Sequence, residues 1–176
     1  MQKGRVFWFI GIHGSGKTTI SRQLAEFLRK SNAPAIVLDG DELRKIISSD
    51  LGYSLEERNE HMRRTADLCK LISDNGISCI ACVASPTEKS REYVKNHIEK
   101  ILTVYVKCPI EVCEKRDVKG HYKKARSREK GFENFLGVSL KFEEPENPDI
   151  TLNTDKETIE ESTKKLIDFI IKKKFP

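Results

Sequence analysis

The chain has 176 residues, 38% hydrophobic and 34% charged, with a formal net charge of +5, the balance of one soluble globular domain over residues 1–176. No apolar stretch approaches the roughly 18 residues that cross a bilayer, and the N-terminus runs into a glycine loop without a cleavable signal. Five cysteines without dense spacing read as reduced thiols, so the expectation is a cytoplasmic protein with no membrane partner.

The first near-continuous apolar run is "RVFWFIGI" (5–12), the pattern of a strand covered on both faces. It leads into "GIHGSGKTT" (11–19), which fits G-x-x-x-x-G-K-[ST]: backbone N–H groups cradle phosphate at a helix N-terminus and the lysine reaches the terminal phosphates. Gly14, Ser15, Gly16, Lys17, Thr18 and Thr19 are therefore expected to hold the phosphates of ATP, with a helix over 17–31. A second strand, 33–40, ends in "LDGDELR". Of Asp39 and Asp41, one is placed to orient Mg²⁺ directly or through water, together with Thr18, and the other to accept a proton from an attacking hydroxyl. The plainer alternative is that Asp41 only caps the next helix, 41–49, with Asp39 exposed. Arg44 lies one turn on from Asp41, on the same helix face.

A helix over 55–74 starts on a capping box, Ser54 with Glu57, and stops at Asn75-Gly76. The third strand, 76–85, contains the C-x-x-C pair Cys79 and Cys82, which reads as core and not as a redox pair. It ends on Ser85 and Pro86, followed by Lys89 and Arg91; Ser85 is open to three readings, a helix cap, a ligand contact or a nucleophile. After a helix over 87–98 and a strand over 101–108 comes a helix over 110–128, broken near Gly120. It supplies Arg116, Lys119, Lys123, Lys124 and Arg126, a basic segment suited to a lid over polyphosphate, about 116–135. A weaker strand, 149–154, and a helix over 156–173 complete the chain. The basic clusters at 119–130 and 171–175 interleave no aromatics as a stacking platform would, which argues against nucleic acid. Lys172, Lys173 and Lys174 read as a solvated helix end. A GTPase reading fails, because "DVKG" (117–120) follows a helix and "NTDK" (153–156) has its lysine misplaced.

Alternating strands and helices of this kind make a parallel α/β sheet, with ligands beyond the carboxyl ends of the strands. The fold class expected is α/β, a three-layer P-loop nucleoside-kinase-like fold with a five-stranded parallel sheet and a basic lid.

Taken together, "GIHGSGKTTIS", "LDGDELR", "DLGYSLEERNEHMRR", "SP" at 85 and 86, "VYVKCPIEVCEKRDVKGHYKKAR", "FLGV" and "FEEPENPDITLNTDK" resemble the adenylylsulfate kinases, which use ATP to phosphorylate the ribose 3′-hydroxyl of adenosine 5′-phosphosulfate. The resemblance implies ATP and Mg²⁺ as cofactors, a small nucleotide as substrate, and a homodimer. It places Lys17, Asp39 and Asp41 at the catalytic centre, and Ser85 at the position of the family's phosphoserine. It puts Arg44 and Arg58 on the acceptor's 5′ anhydride and Tyr53 and Phe135 on the two faces of its base. Arg116 and Lys124 fall to the ATP side; His61, Val83, Ala84, Lys89 and Lys123 fall to the acceptor. The family pattern has D-G-D-N, R-x-E-N-I-R and S-F-I-S-P-[FYH]-R. Here Glu42 and His61 replace two asparagines, Val83 a phenylalanine, Ala84 an isoleucine and Glu88 an arginine. These departures cluster at the acceptor, and polar mismatches there change specificity by orders of magnitude. Two acceptors are accordingly weighed equally: adenosine 5′-phosphosulfate, and the cytidine diphosphoramidate of capsule biosynthesis used by a relative of the family. The rival from another class is a regulatory P-loop nucleotide-binding module without acceptor kinase activity.

Overall fold

A computed structural model describes residues 3–173. Five strands, β1 (Val6–Ile10), β2 (Ala35–Asp39), β3 (Ser78–Cys82), β4 (Ile101–Lys107) and β5 (Ile150–Asn153), form one sheet in the order β2-β3-β1-β4-β5. All pairings are parallel, with Val6 opposite Cys79 on one side and Ile101 on the other. The central strand, β1, is buried along its whole length and serves both faces. Phe7 and Phe9 point into one core cluster, packed with Ile20 and Leu24 of α1 (Lys17–Lys30) and Leu166 and Ile170 of α7 (Ile159–Lys172). Val6, Trp8 and Ile10 point into the other, packed with Met62 and Ala66 of α3 (Leu55–Asp74) and Val94 of α4 (Glu88–His97). Period-two alternation with helices on both sides is why these strands read as unbroken apolar runs. The α/β class and five-stranded parallel sheet expected from the sequence are those found.

The elements differ from expectation at their ends. The helix expected over 41–49 is α2 (Gly40–Ile46). The segment 110–128 is two short helices, α5 (Ile110–Lys115) and α6 (His121–Arg126). Gly120, at φ 68°, takes the left-handed conformation that separates them. The last helix starts at Ile159, not 156: Lys156 and Glu157 donate to the Asn153 carbonyl in a turn, and Thr158 with Glu161 forms a second capping box. The box of Ser54 and Glu57 is formed as expected. Cys79 and Cys82 are free thiols buried in β3. Lys172 and Lys173 are exposed at the end of α7; Lys174 lies outside the described residues. A third apolar cluster, Ile12, Cys108, Cys113, Tyr122 and Leu136, packs α5 and α6 beneath the glycine loop. No described helix is long and apolar enough to cross a membrane.

Candidate active site

The turn after β1 enters α1 through Gly14 at φ 76° and Gly16 at φ 100°, a region costly for any side chain. A Cβ on Gly14 would stand 3.0 Å from the Cys113 carbonyl oxygen. Gly16 caps α1 with no side-chain hydrogen bond and no acidic residue in the first turn, so the first amides of a 14-residue helix face outward as an anion site. The Lys17 ammonium donates to the carbonyls of Gly11 and Ile12, both at 2.8 Å, and burial lowers its pKa. Thr154, just past β5, donates to the Ser15 carbonyl at 2.8 Å and ties the loop to the sheet edge.

Beside the loop, β2 delivers the two carboxylates. Asp39 Oδ1 accepts from the Asp41 amide at 3.0 Å and Oδ2 from the Thr18 hydroxyl at 2.9 Å. Asp39, and not Asp41, is thus the cap of α2. The capping alternative is reversed, and Asp41 is left exposed in the first helical turn. A hydroxyl and a carboxylate in contact at the mouth of a phosphate loop make an all-oxygen pair of the kind that suits Mg²⁺.

Both features open into one cavity of about 1430 Å³. Gly14, Gly16, Lys17, Thr18 and Thr19 line it at the loop, and Asp39, Asp41, Arg44, Tyr53, Arg58, His61, Val83, Ala84 and Phe135 line the rest, the Phe135 ring coming back to within 6.1 Å of the His13 ring; Arg116 borders it as well. The Arg44 guanidinium sits 4.4 Å from the centre of the Tyr53 ring and donates to the Gly52 carbonyl at 2.6 Å. Arg58 bridges two segments, donating to the carbonyls of Tyr53 at 3.0 Å and Asn134 at 2.8 Å. Burial, and secondarily Arg44, lowers its pKa to about 10. His61 is buried, with Nδ1 2.9 Å from the Ser48 hydroxyl and Nε2 without a partner. Its pKa is pushed down to about 4, first by burial and then by Arg44, Arg58 and Arg64, so the imidazole is neutral near pH 7. Phe135 meets Tyr122 edge-on at 5.0 Å.

Five expected site residues do not line the cavity. Ser85 is fully buried and twisted to φ 46°. Its hydroxyl accepts from Trp8 Nε1 at 2.7 Å and points to the Met62 sulfur at 3.3 Å, behind the wall that Ala84 and Pro86 present. Thr87, not Ser85, caps α4. Ser15 is also buried, its hydroxyl without a partner. Lys89 and Lys123 are exposed elsewhere, and Lys124 turns to Glu129 and the Phe132 ring. Conversely, Thr154 and Thr158, beyond β5, line the cavity without having been singled out. The strand-end rule that selected Asp39 points to Thr154 as well.

The chain can be set beside known proteins on this geometry. The family model described as adenylylsulphate kinase matches residues 3–153. The chain belongs to the adenylylsulphate kinase family. It is 43% identical to the adenylyl-sulfate kinase of Halothermothrix orenii, over 98% of this chain and 92% of that one. The corresponding kinase of Bacteroides thetaiotaomicron is 44% identical, over 98% and 86%. Among solved structures, the APS kinase CysC of Mycobacterium tuberculosis in complex with AMPPNP and APS superposes with a TM-score of 0.90 at 32% identity, covering 97% of this chain and 99% of that one. As a member of the family, the chain is an ATP-dependent nucleotide kinase.

Proposed function

We propose that the protein transfers the γ-phosphate of ATP to the ribose 3′-hydroxyl of adenosine 5′-phosphosulfate, giving 3′-phosphoadenosine 5′-phosphosulfate. The observation that carries this reading is a single cavity holding a phosphate loop, two carboxylates, and two arginines around an exposed tyrosine. Phosphoryl transfer demands little covalent chemistry of a protein; it demands positioning and neutralisation of charge. The loop amides and Lys17 hold the β- and γ-phosphates. Thr18 and Asp39 would hold Mg²⁺, which when bound neutralises charge on those oxygens. Asp41, exposed between the two ends, takes the proton of the 3′-hydroxyl as it attacks. Arg44 and Arg58 answer the acceptor's anionic 5′ end, and Tyr53 and Phe135 offer it aromatic faces. The segment 116–135 closes over the polyphosphate, with Arg116 on the nucleotide side. The same reading treats the chain as one domain and expects the homodimer implied by the family, which sedimentation velocity measures.

Curated relatives named for adenylyl sulfate, and a similar structure solved with APS, favour that acceptor, so the two acceptors do not stand level. Comparing kcat/KM for adenosine 5′-phosphosulfate and cytidine diphosphoramidate by coupled ADP release tests the choice. A strong preference for the former is expected, and a preference for the latter overturns it. ATP binding without acceptor-dependent ADP release would instead identify a regulatory module.

A further inference from the structure

His13, Asp117 and His121 form a cluster that the phosphoryl-transfer reading does not use. They come from three places: the glycine loop, the turn after α5 and the first position of α6. One ligand atom of each lies within 4.8 Å of the other two. His13 Nε2 stands 3.7 Å from Asp117 Oδ1, and the two imidazole centres are 4.9 Å apart. The carboxylate is divided in its duties. Oδ2 accepts from the Tyr122 amide at 2.7 Å, whereas Oδ1 is buried with no hydrogen-bond partner, on a side chain only 2% exposed. A buried carboxylate oxygen facing two imidazoles with nothing bonded to it is unfavourable unless a cation satisfies it.

We propose that His13, Asp117 and His121 bind one divalent transition-metal ion of the zinc class, joining the glycine loop to the start of α6. Two imidazole nitrogens and one carboxylate oxygen suit zinc, cobalt or nickel, whereas magnesium and calcium prefer oxygen alone. Bond lengths of about 2.0–2.2 Å at a tetrahedral ion put ligand atoms roughly 3.4 Å apart, so the cluster must contract by about an ångström through side-chain rotation. The supporting contacts are in place. Tyr122 orients the carboxylate through its amide and holds the loop through its hydroxyl, which donates to the His13 carbonyl at 2.7 Å. Burial, then the neighbouring His121 and Lys17, depresses the His13 pKa, which keeps its nitrogen free to ligate near neutral pH. Lys17 is the like charge that opposes a cation here; Asp117 and Asp41 favour one. His13 and His121 line the main cavity, so a fourth ligand position opens towards solvent or a bound molecule. The site is distinct from the Thr18–Asp39 pair and does not rest on the identity of the acceptor.

The test is a titration of the full chain with Co²⁺, read by its visible d–d absorption and repeated with Zn²⁺ by calorimetry. Saturation at one equivalent is expected. His13→Gln and His121→Gln should each weaken binding by at least about tenfold, whereas His97→Gln, at a surface ring 2.8 Å from Asp67, should not change it. Absence of one-equivalent binding, or binding that survives both His13→Gln and His121→Gln, overturns the site. If a variant fails to fold by far-UV circular dichroism, histidine ring NMR of the unmodified chain decides. Zn²⁺ must shift the signals of His13 and His121; shifts confined to His61 or His97, or none, reject the proposal.

Discussion

The two ends of the cavity are built in different ways. At the phosphate end the binding groups are backbone amides of one continuous loop, held by glycine conformations and by the start of α1. The part of the cavity proposed to take the acceptor is assembled from separate segments: α2 brings Arg44, the turn before α3 brings Tyr53, α3 brings Arg58 and His61, and the stretch after α6 brings Phe135. Long side chains clasp these segments together, Arg58 reaching from the Tyr53 carbonyl to that of Asn134. A loop of backbone amides fixes a phosphate whatever surrounds it. A pocket of convergent side chains changes its selectivity whenever one of them changes. On the proposed reading, the first end carries the reaction and the second carries the choice of substrate.

The sharpest way to break this division is at Lys17. Lys17→Ala should lower kcat on the order of 10³-fold with any acceptor, because charge developing on the transferred group loses its counter-ion; near-normal turnover by coupled ADP release would refute the assignment. Asp41→Asn sits at the boundary between the ends. A fall in kcat on the order of 10²-fold is expected with ATP affinity nearly intact, and a loss confined to the KM for ATP would move Asp41 to the nucleotide side. Tyr53→Ala belongs wholly to the acceptor end, where a stacked base is worth about 1–3 kcal/mol. The acceptor KM should rise roughly tenfold or more and that for ATP should not move, and equal changes in both would erase the distinction between the ends.

His61 gives the acceptor end a pH signature. Its folded pKa, about 4, lies below the ordinary histidine value of 6.5. The unfolded chain therefore binds the proton first, and stability contributed by the neutral ring is present above about pH 6.5 and lost as pH falls towards 4. Urea unfolding of His61→Gln should show a shallower loss across that window, by about 2 kcal/mol. An unchanged slope would mean that the ring is not held neutral. The smallest effect on activity is expected at Ser85. Ser85→Ala should leave kcat within about twofold while lowering stability by about 1–2 kcal/mol, since Trp8 Nε1 loses its buried acceptor. A collapse of kcat without loss of stability would restore a covalent role to the serine.

Burial explains why Ser85 was misjudged. In the sequence it stands where a strand ends, the position that presents Asp39 to the cavity, and nothing local announces the left-handed turn that swings it inward onto Trp8, 77 residues away. Asp39 and Asp41 both line the cavity, as their place after β2 suggests, yet which of them caps the helix depends on where α2 begins, one residue before Asp41. The lysines misled for another reason. Lys123 and Lys124 carry charge of the right sign, but they sit on the six-residue α6, and a helix that short can face any direction until it is packed; Lys89 lies on an exposed face of α4. Here Tyr122 and Ala125 are the buried face of α6, which leaves Lys123 outside and Lys124 with Glu129.

The sequence by itself determined the alternation of strands and helices, the order of apolar faces in β1, the phosphate loop and the pair of acidic residues after β2. These depend on short-range periodicity and on glycine and capping geometry, whose causes lie within a few residues. Only the tertiary structure decided that Ser85 is a core hydroxyl, that Arg58 joins the segments carrying Tyr53 and Phe135, and that His13 meets Asp117 and His121. Those relations join residues 76 to 108 positions apart in the chain. Side-chain contacts over such separations are set by how helices pack on the sheet, a property of the whole core.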